Sequence, residues 1–225
     1  MRINTLVLKH YLKNVMFING TAYAGKSTMV KLLADKYDLV HCGENYKCVP
    51  DGILTPQTHP NLCYFQTMKD WQEFVSRTPQ EYYDWIIGNQ HELVEFEIMH
   101  LISVSQNQKT IVDTNIPVEV LHKIAGYNQV AIMLSPQSLS VDRFFDRDDS
   151  DKVFLKEQIA KSENPEKTMQ NFLDCMAMCN SQEVYNNFAN SGFFTLVRED
   201  AENDTRAETL NALAMHFGLT STGLT

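Results

Sequence analysis

The chain is 225 residues long, with 44% hydrophobic and 21% charged residues, which is the balance of a single globular domain of enzyme size. Its formal net charge of -9 argues against a broad, sequence-independent grip on nucleic acid, because such a grip depends on clustered Lys and Arg. The five cysteines are an odd number without paired C-x-x-C spacing, which disfavours a disulfide or zinc framework, and no stretch approaches the ~20 apolar residues of a membrane span. We therefore predict one cytoplasmic domain over residues 1–225, a monomer or homodimer with no nucleic-acid or membrane partner.

The first predicted elements are a strand, a glycine-containing loop and a helix, in that order. An apolar run over 15–19 predicts the strand, and apolar residues at helical spacing over 28–37 predict the helix. Between them, residues 20–27 read Gly-Thr-Ala-Tyr-Ala-Gly-Lys-Ser, which matches the G-x-x-x-x-G-K-S pattern of a phosphate-binding loop. A chance match in a glycine-containing turn is the alternative, and the flanking strand and helix weigh against it.

The residue types in this loop suit a nucleotide phosphate. Gly20 and Gly25 allow the backbone to turn its N–H groups toward one centre, and the positive end of the next helix reinforces that anion site. Lys26 can reach the β- and γ-phosphates, and the Ser27 hydroxyl can ligate Mg²⁺. The predicted contacts to ATP come from the loop and the residue after it: Gly20, Thr21, Ala22, Tyr23, Ala24, Gly25, Lys26, Ser27 and Thr28.

The rest of the chain alternates predicted strands and helices. A short strand over 39–42 delivers Glu44 to a loop at its carboxyl end, where α/β sheets commonly hold ligands. Residues 45–61 are predicted to be irregular. The remaining predicted elements are helices over 61–77 and 79–104, strands over 110–113 and 130–134, a helix from about 165 to 190, a strand over 193–197 and a last helix. Thr205 and Glu208 form a predicted capping box at the start of that last helix. This alternation predicts an α/β fold around a parallel sheet with right-handed crossovers.

The phosphate loop and this layout together resemble the P-loop small-molecule kinases, a family that includes nucleoside monophosphate kinases, shikimate kinase and chloramphenicol phosphotransferase. The resemblance implies a three-layer P-loop NTPase fold with a five-stranded parallel sheet. It also implies ATP and Mg²⁺ as cofactors, and transfer of the γ-phosphoryl group to an acceptor held under a mobile lid. In this chain the acceptor-binding helical insertion would span about 45–105 and the lid about 143–165.

Three further residues are matched through the resemblance. Asp113, which ends an apolar strand, resembles the family's acidic residue that supports Mg²⁺ or polarises the acceptor; a helix or turn cap is the alternative. Arg143 and Arg147 fall where similar kinases place lid arginines, and their spacing of four predicts one shared helix face. We expect Arg143 to bind the nucleotide and Arg147 to stabilise the phosphoryl group in transit. Pairing of both arginines with neighbouring aspartates is the alternative.

The charge of the predicted acceptor region indicates what the acceptor carries. Residues 41–104 include nine acidic residues but only three formal cations, Lys47, Lys69 and Arg77. A phosphorylated acceptor needs cations, so we expect a neutral or cationic acceptor such as a nucleoside, sugar, amino-alcohol or antibiotic. A nucleotide kinase remains an alternative. Glu44 is the predicted general base, because similar kinases carry an acid there and the acceptor hydroxyl must lose its proton; an exposed loop glutamate without a role is the alternative.

Two groups of residues in the predicted 79–104 helix leave alternatives open. The first group could stack on a ring of the acceptor or fill the core: Tyr82, Tyr83 and Trp85. The second group would share one helix face, either as an incipient metal site or as a solvated or capping face: His91, Glu92 and Glu95.

Two functions of other classes use the same kind of loop. A signalling GTPase would also carry a guanine-recognising Asn-Lys-x-Asp motif after a late strand, which this sequence lacks. A non-catalytic ATP sensor would keep Lys26 and Ser27 but lose its lid and acceptor base. Because the segment 143–151 is crowded with acids, the sensor remains an alternative to the predicted kinase.

Overall fold

The computed structural model describes residues 4–44, 46–146, 150–199 and 204–219. The chain divides into two compact units, one formed by 1–49, 94–135 and 185–225 and the other by 50–93 and 136–184. The second unit therefore includes most of the predicted acceptor-binding insertion and of the predicted lid.

The first unit is built on five strands: Val15–Gly20 (β1), Val40–Cys42 (β2), Thr110–Asp113 (β3), Val130–Leu134 (β4) and Phe194–Val197 (β5). They form one parallel sheet in the order β2-β3-β1-β4-β5. Each predicted strand is present, with its ends within a residue of the predicted ones. The predicted α/β class with a five-stranded parallel sheet is confirmed.

Eleven α-helices lie in the described part of the chain. In chain order they are Thr5–Tyr11 (α1), Lys26–Tyr37 (α2), Tyr64–Thr67 (α3), Trp71–Val75 (α4), Pro79–Val104 (α5), Val118–Ile124 (α6), Gln137–Asp142 (α7), Ser150–Ala160 (α8), Pro165–Cys179 (α9), Gln182–Ala189 (α10) and Arg206–His216 (α11). Of these described helices, none combines the length and the apolar content needed to cross a membrane.

Side chains of the central strands alternate between two hydrophobic layers, one on each face of the sheet. Phe17 of β1 packs in the layer that contains Leu121 of α6. Its neighbour Ile18 packs in the other layer, with Leu33 of α2 and Leu213 of α11. All five side chains are fully buried, and each such burial contributes about 1.5–3 kcal/mol. Because both faces are covered, the central strands are continuous apolar runs rather than alternating ones.

The second unit has an interior rich in aromatic rings. Phe172 of α9 is fully buried, with its ring centroid 5.6 Å from that of Tyr82 and 6.4 Å from that of Phe74. The Trp85 ring lies 5.3 Å from Phe74, and its Nε1–H donates to the Asn61 carbonyl at 3.1 Å. Tyr82 and Trp85 therefore fill the core, which was one of the two alternatives predicted for them.

Two predicted helices are interrupted. The prediction of one helix over 61–77 is wrong: α3 ends where Met68 becomes extended, and α4 starts after Asp70, whose carboxylate accepts a hydrogen bond from the Glu73 N–H at 3.0 Å. The predicted helix from about 165 to 190 ends instead at Cys179, and α10 follows it. There the Asn180 side-chain amide donates to the Met176 carbonyl at 2.9 Å. Short polar side chains that bond to nearby backbone groups compete with the helix in both places.

The last helix starts where it was predicted, but with a different cap. Thr205 has near-helical angles (φ -92°, ψ 12°), and its side chain makes no capping hydrogen bond. The predicted capping box with Glu208 is therefore wrong, since a capping side chain needs an extended backbone at its own position. Oδ1 of Asp204 instead accepts a hydrogen bond from the Arg206 N–H at 3.2 Å, and the same carboxylate pairs with the Arg206 guanidinium.

Candidate functional site

The glycine loop connects β1 to α2 at the carboxyl edge of the sheet. Gly20 and Gly25 have φ angles of 131° and 90°, and a Cβ at Gly20 would lie 1.9 Å from the Met133 carbonyl oxygen. Glycine is thus required at Gly20 by both backbone angle and space. Tyr23 also has a positive φ, 64°, a conformation that costs a non-glycine residue about 1–3 kcal/mol. The loop therefore holds a strained shape that its surroundings must maintain.

Hydrogen bonds fasten this loop to the end of β4. The Thr21 N–H donates to the Met133 carbonyl at 3.0 Å, and the Ser135 N–H donates to Thr21 Oγ1 at 2.7 Å. The Ser135 hydroxyl donates to the Ala22 carbonyl at 2.6 Å. Thr21 and Ser135 are both buried, so the loss of one such partner would cost about 1–3 kcal/mol. Thr21, predicted as a nucleotide contact, thus also holds the loop in place.

Three residues from distant parts of the sequence meet where this loop ends. The hydroxyl of Ser27, in the first turn of α2, donates to Oδ2 of Asp113 at 2.6 Å. The same hydroxyl lies 3.4 Å from Oε2 of Glu44. The pairing of β3 with β1 sets Asp113 beside Ile18, just before the loop, and β2 on the other side of β3 leads to Glu44. The structure therefore brings the predicted residues Ser27, Glu44 and Asp113 together.

The two carboxylates of this cluster differ in their surroundings. Asp113 is buried, and burial raises its pKa above the ordinary value, while the positive charge of Lys26 and the hydrogen bond from Ser27 counteract part of that increase. Glu44 is exposed. The Lys26 ammonium donates to the Thr21 carbonyl at 3.0 Å, so it lies within the loop. An exposed carboxylate next to a buried one is suited to accepting a proton from a bound hydroxyl group.

The oxygen atoms of Ser27 and Asp113 fit a Mg²⁺ ion. Mg²⁺ prefers hard oxygen ligands, and beside a nucleotide it is commonly held by one or two protein groups together with phosphate oxygens and waters. A hydroxyl and a carboxylate 2.6 Å apart, directly after a phosphate-type loop, are donors of that kind. If a metal ion were bound here, these two oxygen atoms would hold it, and the ion would supply positive charge beside bound phosphates.

A cavity of about 340 Å³ lies beside the loop. One side of its lining comes from the loop and α2, with Ala24, Thr28 and Met29. The other side comes from β5 and α11 together with Arg198, Asp204 and Thr205, and it includes Leu196 and Thr209. The volume is in the range of small-ligand sites, about 300–1,000 Å³. Arg198 Nη1 donates to the Tyr23 carbonyl at 3.2 Å, which ties the cavity wall to the strained loop. Sequence analysis assigned no role to the Arg198 side chain, although its place after β5, at the carboxyl edge, was a usable signal.

The predicted lid arginines have a different setting from the expected one. Helix α7 ends at Asp142, and Arg143 is its exposed C-cap, followed by a turn. Phe144 and Phe145 in that turn pack against the aromatic core of the second unit, which stops the helix there. The predicted helix that would present Arg143 and Arg147 on one face is therefore wrong for residues 143–146, which are not helical. Arg147 itself lies outside the described residues. Arg143 makes no ion pair with Asp142 or Asp146, the described aspartates near it. Arg147 and Asp148 lie outside the described residues, so pairing there stays a prediction.

Glu92 of α5 has a structural role. Its Oε1 accepts hydrogen bonds from the backbone and side-chain N–H groups of Asn61 at 3.1 and 2.6 Å, and its Oε2 accepts one from the Leu62 N–H at 2.9 Å. Of the two alternatives predicted for this face, the capping one therefore describes Glu92. Within the ranges that the structure describes, no group of three or more His, Cys, Asp or Glu side chains is arranged to hold a metal ion.

Sequence analysis also missed Glu97 of α5. This glutamate is 5% exposed, and burial raises the pKa of its carboxyl to about 7; the nearby hydroxyls of Thr114 and Tyr46 lower that pKa, and the charge of Asp113 raises it. A signal was present in the helical spacing, because Leu101, four residues later on the same face, is fully buried. An ionisable residue is rarely buried in the core, so its presence there calls for a structural or functional explanation.

In comparisons with known proteins, no family model, no curated protein and no solved structure matches the chain. The function is therefore argued from the residues and geometry described above.

Proposed function

We propose that this protein is an ATP- and Mg²⁺-dependent phosphotransferase that phosphorylates a hydroxyl group of a small neutral or cationic molecule. One observation carries the proposal: Ser27, at the end of the glycine loop, lies 2.6 Å from Asp113 and 3.4 Å from Glu44. A phosphate-type loop, an oxygen pair for a metal and an exposed carboxylate are the parts that phosphoryl transfer needs. Membership of the P-loop small-molecule kinases, with their three-layer P-loop NTPase fold, is part of this proposal.

The glycine loop is the proposed binding element for the phosphates of ATP. The backbone N–H groups of 20–27 and the N-terminus of α2 provide an anion site. Lys26, now bonded to the Thr21 carbonyl, exchanges that partner for a phosphate oxygen, which is a stronger acceptor. The cavity next to Thr28 and Arg198 is the proposed site of the base and sugar.

Ser27, Asp113 and Glu44 share the chemistry in this proposal. ATP supplies the γ-phosphoryl group when it is bound, and Mg²⁺ neutralises charge on the phosphates. Ser27 and Asp113 hold the metal through their oxygen atoms. Glu44 accepts the proton of the acceptor hydroxyl as the new oxygen–phosphorus bond forms and ADP leaves. The roles predicted for Arg143 and Arg147, and for a lid over about 143–165, stay predictions that variants of those arginines can test.

The charge around this site supports a neutral or cationic acceptor. Glu44, Asp113 and the nearby Glu97 bring three carboxyl groups to one end of β2 and β3. An acceptor that carried a phosphate or carboxylate would be repelled by them. The proposed partner is therefore a small molecule that bears a hydroxyl group and no negative charge.

The redox state of the cysteines indicates the cellular compartment. All five are free thiols, three of them buried. Free thiols persist in reducing compartments, so the cytoplasm is the proposed location.

The experiment that tests the proposal measures ADP release with ATP and Mg²⁺ in the presence of nucleosides, nucleoside monophosphates, sugars and aminoglycosides. Wild type is compared with Lys26→Ala, and the matched control is Lys31→Ala, which removes an exposed lysine from the same helix. We expect acceptor-dependent ADP release in wild type and in the control. In Lys26→Ala we expect a loss of at least about 10²–10³-fold, the usual effect of removing one group that stabilises developing charge.

Two outcomes would contradict the proposal. If Lys26→Ala kept full ATP affinity and activity, the loop would not be the nucleotide site. If wild type bound ATP tightly and no member of the panel stimulated ADP release, the non-catalytic ATP sensor would become the better account.

A further inference from the structure

A buried carboxyl group lies behind the proposed transfer site. Across the described residues, Glu97 and Asp113 are the carboxyl side chains that are less than a tenth exposed. Asp113 has a hydrogen bond from Ser27, but Oε1 of Glu97 has no partner with good hydrogen-bond geometry. Buried polar atoms without a partner are few in native proteins, and each one calls for an explanation.

The Tyr46 hydroxyl is the second such atom, and it belongs to the same cluster. It is buried without a hydrogen-bond partner of good geometry, and it lies close enough to the Glu97 carboxyl for each group to shift the pKa of the other. The Tyr46 ring also lies 5.2 Å from the ring of His100, which follows Glu97 by three residues on α5. One face of α5 therefore holds the Tyr46 side chain.

Tyr46 belongs to the same turn as Glu44. The Tyr46 N–H donates to the Gly43 carbonyl at 3.3 Å, so Glu44 lies inside a closed turn. The turn follows β2, and the side chain of Tyr46 anchors its far end on α5. Glu44 itself is exposed, and among the described residues its side chain has one hydrogen-bond contact, the 3.4 Å contact with Ser27. Its position therefore depends on the anchoring of the turn.

We propose that Glu97 is a positioning residue for phosphoryl transfer: its carboxyl orients the Tyr46 hydroxyl, and Tyr46 in turn fixes Glu44 where it meets Ser27. This inference rests on the proposed function and adds a part to it that touches neither nucleotide nor acceptor. Glu97 also lies beside Thr114, the residue after Asp113. The same carboxyl therefore supports the backbone next to Asp113, the proposed metal-binding carboxylate.

The test compares wild type with Glu97→Gln, Tyr46→Phe and the double variant. Glu95→Gln, an exposed change on the same helix, is the matched control. The measurements are kcat and KM for the acceptor, the Kd of ATP, the melting temperature and amide hydrogen exchange of peptides covering 43–48. We expect each single variant to lower kcat about 10-fold, a usual effect of losing a group that orients a reacting one, with KM and Kd unchanged. The double variant should lose no more than the worse single one, since the two groups act in series.

Hydrogen exchange locates the effect in the turn that carries Glu44, while an unchanged KM and melting temperature separate positioning from a general loss of structure. Exchange over 43–48 should be faster in Glu97→Gln than in Glu95→Gln, while the melting temperature of Glu97→Gln stays the same or rises because a buried charge is gone. A raised KM for the acceptor, additive losses in the double variant or a kcat that falls only with the melting temperature would overturn the inference. If wild type transfers no phosphoryl group, the proposed function fails by itself. Exchange then tests the anchoring of the turn alone: faster exchange in Glu97→Gln supports the link from Glu97 through Tyr46 to Glu44, and unchanged exchange rejects it.

Discussion

The two compact units bury different kinds of side chain. In the first unit, Thr21, Glu97 and Asp113 are only 5–6% exposed, and they lie at or near the carboxyl edge of the sheet. In the second unit the interior is filled mainly by rings packed around Phe172. Burying a polar group destabilises the folded state unless the group is well partnered, whereas burying an aromatic ring stabilises it. The first unit thus brings destabilising buried polar groups together in one place, whereas the interior of the second unit is stabilised by aromatic packing.

The difference indicates where the chemistry takes place. Raised pKa values and backbone strain cluster at functional sites. In the first unit the pKa values of two carboxyl groups, Asp113 and Glu97, are raised, and Tyr23 has a positive φ. Burial raises pKa values in the second unit as well, but those described there belong to tyrosine and cysteine side chains such as Cys175. The second unit also has a buried polar atom without a hydrogen bond, Nη1 of Arg77. There the guanidinium lies 3.7 Å from the centre of the Tyr64 ring, and a cation–π contact offsets its desolvation. We therefore place the proposed reaction in the first unit and expect changes in the second to act on stability.

The largest expected effect comes from the two transfer carboxylates. Glu44→Gln and Asp113→Asn keep the size of the side chains but remove the proton acceptor and the metal-binding charge. We expect each to lower acceptor-dependent ADP release by about 10²–10⁴-fold, with ATP affinity preserved. Steady-state kinetics and calorimetric titration with ATP measure the two effects.

The control for this pair is Asp35→Asn, which neutralises an exposed carboxylate on α2. It should leave both measurements unchanged. Full activity in Glu44→Gln would remove that residue from the mechanism and would weaken the contrast between the units.

A smaller effect, on stability alone, is expected in the second unit. Phe172→Ala should lower the free energy of unfolding by about 3–5 kcal/mol, since it empties a fully buried ring site. The Kd of ATP should not change in conditions where the variant is folded, because the loop and cavity residues belong to the first unit. Urea unfolding and ATP titration test this.

Phe154→Ala is the matched comparison for Phe172→Ala. Phe154 is 37% exposed on α8, so its loss should cost clearly less. An ATP affinity that fell together with stability in Phe172→Ala would show that the two units are not as distinct in function as they are in composition.

The pH dependence of stability should depend on Glu97. Burial raises its pKa in the folded protein to about 7, above the ordinary value of 4.5. Between these pH values the folded state therefore holds a proton that the unfolded state has released. Stability must then fall as pH rises through this window, by up to about 3 kcal/mol, and the whole loss is present above about pH 7.

Glu97→Gln removes that titration and should flatten the plot of unfolding free energy against pH between pH 5 and about 8. The slope that remains would come from Asp113, whose pKa is also raised. Glu95→Gln should keep the wild-type slope. Equal slopes in wild type and Glu97→Gln would mean that the Glu97 carboxyl is not desolvated as its burial implies.

The smallest expected effect is that of a helix cap in the second unit. Asn164 caps α9, and its side chain accepts a hydrogen bond from the Lys167 N–H at 3.1 Å. Asn164→Ala should cost about 1 kcal/mol, measured by urea unfolding, without any change in ADP release. Glu163→Ala, next to it and exposed, should cost less. A loss of activity in Asn164→Ala would contradict the assignment of the chemistry to the first unit.

Local patterns were enough to predict the strands, the long helix α5 and the glycine loop. The strands were readable because both faces of the sheet are buried, and α5 because Pro79 starts it and its spacing is regular. The breaks at Asp70 and Asn180 were not readable, since they depend on which nearby backbone group a polar side chain reaches. Helices α1, α6, α7 and α8 were not predicted either, because they have at most 11 residues and give little periodic signal.

The sequence by itself determined the five strands, the long helix α5 and the glycine pattern of the loop from Gly20 to Ser27. These features act through neighbours along the chain: a glycine sets its own φ, and a strand is marked by its own apolar residues. Tertiary structure decided which of the predicted site residues lie close together. Ser27 and Asp113 are 86 residues apart and meet because β3 pairs with β1. Tertiary structure also decided that Glu97 is buried with a raised pKa, because only folding removes a side chain from water, and desolvation is what shifts the proton equilibrium.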